Sequence, residues 1–243
     1  MTESDYSVAA IYDKFSAYYR EYSQSRNKYL NSIEKIIVNK FKCKVSNLLD
    51  YGSGDGVRGV KIFESLKAKN LYQADISTEM LKKCFRHGKA KKIIDVREKN
   101  WEKQLSDIDL IICLWNVFGH LEDTKSRINT LKVFHKILIN DGYICFDVNN
   151  RHNEEYGFLK SKVRYIFDSI FPDFKRGDVQ FDWEIANEKI PAKGHLFNPS
   201  EVRFLLKKSG FKVVKINGVS YKTGNIYEKT FKGQIFVIAK KII

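Results

Sequence analysis

Only three prolines occur among the 243 residues, and no stretch is rich in serine and glycine, so the composition leaves no room for a long linker. Cysteine is sparse and scattered: Cys43, Cys84, Cys113 and Cys145, with no C-x-x-C pair. That spacing argues against a structural zinc site, and no metal is expected. Cys113 and Cys145 lie inside apolar runs and read as small core residues with free thiols. No apolar segment approaches the roughly 20 residues that span a bilayer, so no membrane partner is expected. Met1–Ala10 carries acids and no apolar run, which is unlike a secretory leader and points to the cytoplasm. There is no internal repeat and no low-complexity tract. Acids are outnumbered, 29 against 43 bases, for a net charge of +14. Such a charge suits an anionic partner such as RNA. The excess is diffuse, however: 25 bases to 19 acids over 1–150, and 18 to 10 over 151–243. Lysines supply 33 of the 43 bases, whereas bidentate phosphate contacts favour arginine.

What is present is an ordinary globular hydrophobic fraction, 43%, with 17 Phe and 13 Tyr. Apolar residues from Ile11 to Ile37 recur near a 3.6 spacing, which predicts two helices broken near Ser23–Ser25. Strands are expected at Asn47–Tyr51, Leu71–Asp75, Lys92–Val96, Asp109–Trp115 and Tyr143–Asn149. Helices are expected between them at Val57–Ala68, Thr78–Arg86 (with Ser77 as N-cap) and Lys125–Ile139. The alternation predicts a doubly wound, mostly parallel α/β sheet. Asn150–Asn198 reads as an irregular insertion. Pro199–Ser209 is a helix, and Phe211–Gly218 and Phe231–Lys240 form an antiparallel pair. One domain is expected: an N-terminal helical cap (1–45), a cofactor-binding core (46–149), a substrate lid (150–198) and a C-terminal helix with a strand pair (199–243).

The sharpest motif is Asp50-Tyr51-Gly52-Ser53-Gly54-Asp55-Gly56, a glycine-rich turn between a strand and a helix. Glycines there permit positive φ and close approach of a ligand to the backbone. Asp75 ends the next strand, 19 residues after Gly56, where a carboxylate can accept hydrogen bonds from ribose hydroxyls. Gly54-x-Gly56-x-x-Gly59 also fits a dinucleotide fingerprint. Against NAD stand the acidic Asp50 two residues before the first glycine, the long helical segment before the first strand, and the antiparallel ending.

The sequence resembles the class I (Rossmann-like) S-adenosylmethionine-dependent methyltransferases. The likeness runs through LLDYGSGDG, QADIS, DLIICLWNVFGHL, ILINDGYICFDVNN and HLFNPSEVRFLLKKSGF. It implies a seven-stranded sheet, order 3-2-1-4-5-7-6 with strand 7 antiparallel. It implies S-adenosyl-L-methionine as cofactor, with S-adenosyl-L-homocysteine as product. By the same resemblance, Gly52, Ser53, Gly54 and Gly56 would pass under the methionine and ribose. Asp75 would hold the ribose, Ile76 and Met80 would meet the adenine face, and Asp95 and Val96 its amino edge, although this segment departs from the usual Gly-Asp-Ala. Trp115 would lie beside the cofactor. Tyr19 and Arg26 would close over it, the guanidinium pairing with its carboxylate.

Just past the fourth strand stand Asn116 and His120, the candidate catalytic pair, with His120 as base. Asn149, Asn150, Arg151 and His152 leave the fifth strand and are expected to face the same pocket. Tyr156 and His195 are further candidates. Where many base-amino methyltransferases carry Asn-Pro-Pro-Tyr, this chain has Leu114-Trp115-Asn116-Val117. Phe158, Tyr165, Phe167, Phe171, Phe174, Phe181 and Trp183 are expected to enclose a small organic acceptor. The leading expectation is therefore methyl transfer to O or N of a small molecule. Transfer to RNA (tRNA) is the alternative, and a non-catalytic cofactor- or partner-binding protein is another. The basic run Lys82–Lys92 reads as a charged helix end.

Overall fold

The computed structural model describes residues 7–185 and 188–242. Residues 1–6, part of the stretch read as lacking a leader, lie outside the described residues. Three helices open the fold: α1 (Val8–Phe15), α2 (Tyr19–Gln24) and α3 (Asn27–Phe41). Two were expected. The periodic pattern is broken twice, at Ser16–Tyr18 and at Ser25–Arg26, where the Ser25 hydroxyl donates to the Tyr22 carbonyl at 2.7 Å. The alternation then runs β1 (Asn47–Tyr51), α4 (Val57–Leu66), β2 (Asn70–Asp75), α5 (Thr78–His87), β3 (Lys92–Asp95), β4 (Ile108–Cys113), α6 (Thr124–Ile137) and β5 (Leu138–Val148). Local chemistry sets these boundaries. Ser77 accepts from the Met80 N–H, and Asp123 accepts from the Ser126 N–H at 2.7 Å, so both helices start on capping side chains. Gly88 ends α5 in the left-handed region.

The insertion is not irregular. It folds into α7 (Phe158–Ile170) and an antiparallel hairpin of β6 (Asp178–Ile185) and β7 (Glu188–His195). Its periodicity was hard to read because bulky residues stand on the outer side of α7 while Ser161 and Asp168 face inward. The chain closes with α8 (Pro199–Lys208), β8 (Phe211–Val219), β9 (Ile226–Tyr227) and β10 (Gln234–Lys241). Asn198 caps α8 and Pro199 occupies its first turn.

The sheet order is β3-β2-β1-β4-β5-β10-β8-β9. With β10 as the seventh strand and β8 as the sixth, this is the expected 3-2-1-4-5-7-6 plus one added edge strand. The eighth strand arises because the connection after β8 turns back at Ser220–Asn225 and pairs Ile226 with Val219. β10 runs antiparallel to both neighbours. β5 begins earlier than expected and carries an irregularity against β4, which absorbs Asn140-Asp141-Gly142.

Successive strand residues serve opposite faces. Leu48, Leu110 and Ile112 pack with Tyr29, Ile33, Ile37, Ile62 and Leu66 of α3 and α4. Leu49, Ile111 and Cys113 pack with Leu131, Phe134, Leu205 and Leu206 of α6 and α8. This period-two division of apolar runs is what a strand covered on both faces requires. Cys113 and Cys145 are buried, as expected, and so is Cys84; Cys43 is exposed and all four thiols are free.

Candidate active site

The carboxyl ends of β1, β2 and β4 meet beneath the N-terminal helices. β1 delivers Asp50 and Tyr51 into the glycine turn, where Gly54 has φ +55°. A Cβ at Gly54 would lie 2.5 Å from the Tyr19 hydroxyl, so only glycine lets the N-terminal segment rest on this turn. Asp75, at the end of β2, is buried. One carboxylate oxygen accepts from the Gly54 N–H at 2.8 Å, the other from the Ser77 N–H at 2.9 Å. Burial raises its pKa, against these backbone donors, which lower it. The carboxylate thus ties the turn to the start of α5. Asp13 of α1 reaches the same place: it accepts from the Ser77 hydroxyl at 2.5 Å and the Glu79 N–H at 3.0 Å. Its negative charge sits at the N-terminus of α5, where the helix dipole favours it.

Strand β4 ends in unusual backbone. Trp115 and Asn116 both have positive φ, +69° and +62°. For non-glycine residues such strain persists only when neighbours hold it, and it marks functional sites. Here the buried Asp147 accepts from the Trp115 N–H at 2.6 Å and from the Tyr29 hydroxyl at 2.5 Å. Asn116 accepts from the Asn149 N–H at 2.9 Å. The turn that follows places His120, whose Nε2 is 3.1 Å from the Tyr12 hydroxyl. Burial lowers the His120 pKa to about 4, so its imidazole is neutral near pH 7.

Two cavities adjoin at this point. The first is lined by Tyr51, Gly52, Gly54, Asp75, Ile76, Val96, Val117 and Leu121, beneath Val8, Tyr12 and Tyr19. The second is lined by Phe15, Tyr22 and Arg26 of the N-terminal helices, by Asn116, Asn149 and Tyr221, and by Val179, Phe181, Trp183 and His195 of the hairpin. Tyr12, Tyr19, Trp115 and His120 belong to both and form the wall between them.

Not every expected residue lies on these cavities. Ser53 is buried under the turn beside Cys84, and Gly56 serves as the N-cap of α4. Met80 is wholly buried inside α5. Asp95 is occupied by the Arg97 guanidinium, which holds its carboxyl below the usual range. Arg26 lies on the second cavity, stacked over Tyr221, rather than on the first. Of the four residues leaving β5, only Asn149 faces the cavity. Asn150 donates to the Thr230 and Gly233 carbonyls, and Arg151 and His152 turn to Asp168. Tyr156 bonds Gln234. Of the seven aromatics expected around an acceptor, Phe181 and Trp183 line the cavity. Phe158, Tyr165, Phe167 and Phe171 are exposed, and Phe174 packs on Phe204. Sequence reasoning did not single out Tyr12, Asp13 or Tyr221 for the site. Nothing in their local pattern distinguishes them, because their roles come from packing between distant segments.

A family model described as a methyltransferase domain matches residues 14–216. A glycine/sarcosine N-methyltransferase of Aphanothece halophytica is 31% identical over 185 residues, which cover 70% of this chain and 68% of that protein. A glycine/sarcosine N-methyltransferase of Halorhodospira halochloris is 34% identical over 137 residues, 53% of this chain and 50% of that protein's length. The crystal structure of an S-adenosylmethionine-dependent methyltransferase from Clostridium acetobutylicum superposes with a TM-score of 0.62 at 17% identity, covering 96% of this chain and all of that one, and shares the fold.

Proposed function

The chain belongs to the methyltransferase-domain family as an S-adenosylmethionine-dependent enzyme, and we propose that it methylates a nitrogen or oxygen of a small-molecule acceptor held in the second, aromatic cavity. One observation carries this reading: the two cavities share a wall of Tyr12, Tyr19, Trp115 and His120. The first cavity fits an adenosyl group. Asp75 keeps lone pairs for ribose hydroxyls, Gly52 and Gly54 allow close approach, and Ile76, Val96, Val117 and Leu121 offer apolar walls to a purine. When bound, the cofactor supplies a methyl group activated on a sulfonium. The chain's own task is then alignment and exclusion of water. Phe15, Phe181 and Trp183 exclude water from the acceptor side, and Asn116, held by the Asn149 N–H, fixes the backbone beside it.

His120 is neutral but weakly basic, so we assign it to accepting a hydrogen bond and orienting the acceptor, with Tyr12, rather than to strong base catalysis. That assignment suits an amine that enters deprotonated. The relatives named for glycine and sarcosine favour nitrogen as the acceptor atom, and Arg26 offers its guanidinium to a carboxylate in the same cavity. Trp183→Ala tests the assignment of the cavity. The affinity for S-adenosylhomocysteine should stay within about threefold, while the acceptor KM rises by at least about tenfold. The reverse split would put the acceptor elsewhere.

A further inference from the structure

Helix α7 is mounted with its polar side toward the protein. Ser161 donates to the Asn153 carbonyl at 2.7 Å, and Asp168 is held by His152 at 2.7 Å and Arg151 at 2.9 Å. Its apolar side is consequently turned outward. Leu159, Val163, Ile166 and Ile170 are 76%, 66%, 56% and 62% exposed. Their spacing of four, three and four residues puts them in one stripe along the helix. Phe158 and Phe167 widen it. A contiguous apolar surface of this kind marks an interaction site.

The stripe is rimmed by positive charge. Lys160, Lys162 and Arg164 flank it, with Lys175 just beyond the helix. The only acid of α7 is the buried Asp168, and the nearby Asp173 is paired with Arg176. We propose that α7 docks the protein on the surface of an anionic lipid bilayer, with the stripe in the headgroup–acyl boundary and the lysines on lipid phosphates. A basic rim around an apolar helix face is the chemistry of interfacial helices. A second copy of the chain fits less well. Self-pairing of the stripe brings two basic rims together, and a 13-residue helix spans only about 20 Å, short for a stable dimer interface. Among the described residues no helix is long and apolar enough to cross a membrane, so the docking is peripheral.

The full chain is tested by co-sedimentation with phosphatidylcholine vesicles, with and without about 30% phosphatidylserine. Binding is expected on the anionic vesicles only. Replacing Lys160, Lys162 and Arg164 by Gln should weaken it by roughly fivefold per charge. Val163→Asp with Ile166→Asp should abolish it. Both variants should keep wild-type affinity for S-adenosylhomocysteine, because none of these residues lines either of the two cavities described above. Failure to bind anionic vesicles, equal binding to neutral ones, or binding that survives Val163→Asp/Ile166→Asp would overturn the proposal. So would a homodimer in sedimentation velocity that the same two substitutions dissolve. If the Asp pair fails to fold, the charge variant alone decides.

Discussion

The Tyr12 hydroxyl lies 3.1 Å from Nε2 of His120, and the two rings meet edge to face at 5.6 Å in the wall between the cavities. One residue comes from the first helix, the other from the turn after β4. In the proposed arrangement, transfer across that wall depends on the N-terminal segment being in place.

Tyr12→Phe removes the hydroxyl and keeps the ring. It should lower kcat by about tenfold to a hundredfold, with the affinity for S-adenosylhomocysteine nearly unchanged. His120→Asn should do the same, and the double variant should be little worse than either, because paired residues are not additive. Steady-state kinetics with parallel calorimetry checks this. Additive losses would show that the two act separately.

The protonation of His120 has a readout of its own. Its folded pKa of about 4 lies below the ordinary 6.5 because burial disfavours the charged ring. The unfolded chain binds the extra proton between those values. His120 thus contributes stability that is complete above about pH 6.5 and is lost as pH falls toward 4, by about 3 kcal/mol at most. Asp50, pushed up to about 7 by burial, acts in the opposite sense: its contribution is lost as pH rises from 3.8 toward 7. The measurement is therefore a difference, wild type minus His120→Asn, in urea unfolding at pH 7, 5.5 and 4. The difference should shrink with falling pH. A constant difference would place the imidazole in water.

Asp75→Ala should weaken cofactor binding by roughly 1.5–3 kcal/mol, the scale of a lost charged hydrogen-bonding partner. It should also loosen the turn, since the Gly54 and Ser77 N–H groups lose their acceptor. Asp75→Asn, which keeps one acceptor oxygen, should fall between. Calorimetry giving unchanged affinity for Asp75→Ala would remove this carboxylate from the site.

Asp13 acts as a latch. It ties α1 to the start of α5 through the Ser77 hydroxyl and the Glu79 N–H. Asp13→Ala should release about 1 kcal/mol of capping interaction. Amide exchange should rise across α1 while the sheet core keeps its protection. Unchanged exchange in α1 would mean that packing of Ile11 and Phe15 holds the helix by itself.

The sheet and the glycine turn were legible because they rest on local signals: period-two apolar runs, the Gly52–Gly56 sequence and a carboxylate at the end of β2. The lining of the second cavity was not. Phe181 and Trp183 face the cavity while Phe158 and Phe171 face solvent, and composition cannot tell these apart. The outward facing of the α7 residues follows from the burial of Asp168, on α7 itself, against Arg151 and His152 of the segment before it, while Phe181 and Trp183 are placed by the separate β6–β7 hairpin. Arg151 and His152 look like pocket residues in sequence because they follow an apolar strand, yet both are used to hold a helix through Asp168. Asp95 likewise has a neighbour that the pattern does not reveal: Arg97, two residues on, takes its carboxylate.

Passage of the methyl group to a small molecule is decided by incubating the enzyme with methyl-labelled S-adenosylmethionine, small amines and hydroxy compounds, and bulk RNA, at about 50 and 200 mM salt. Label is expected in the small-molecule fraction, nearly independent of salt and lost with Trp183→Ala. Label in RNA that falls by orders of magnitude between the two salt concentrations would instead make RNA the acceptor.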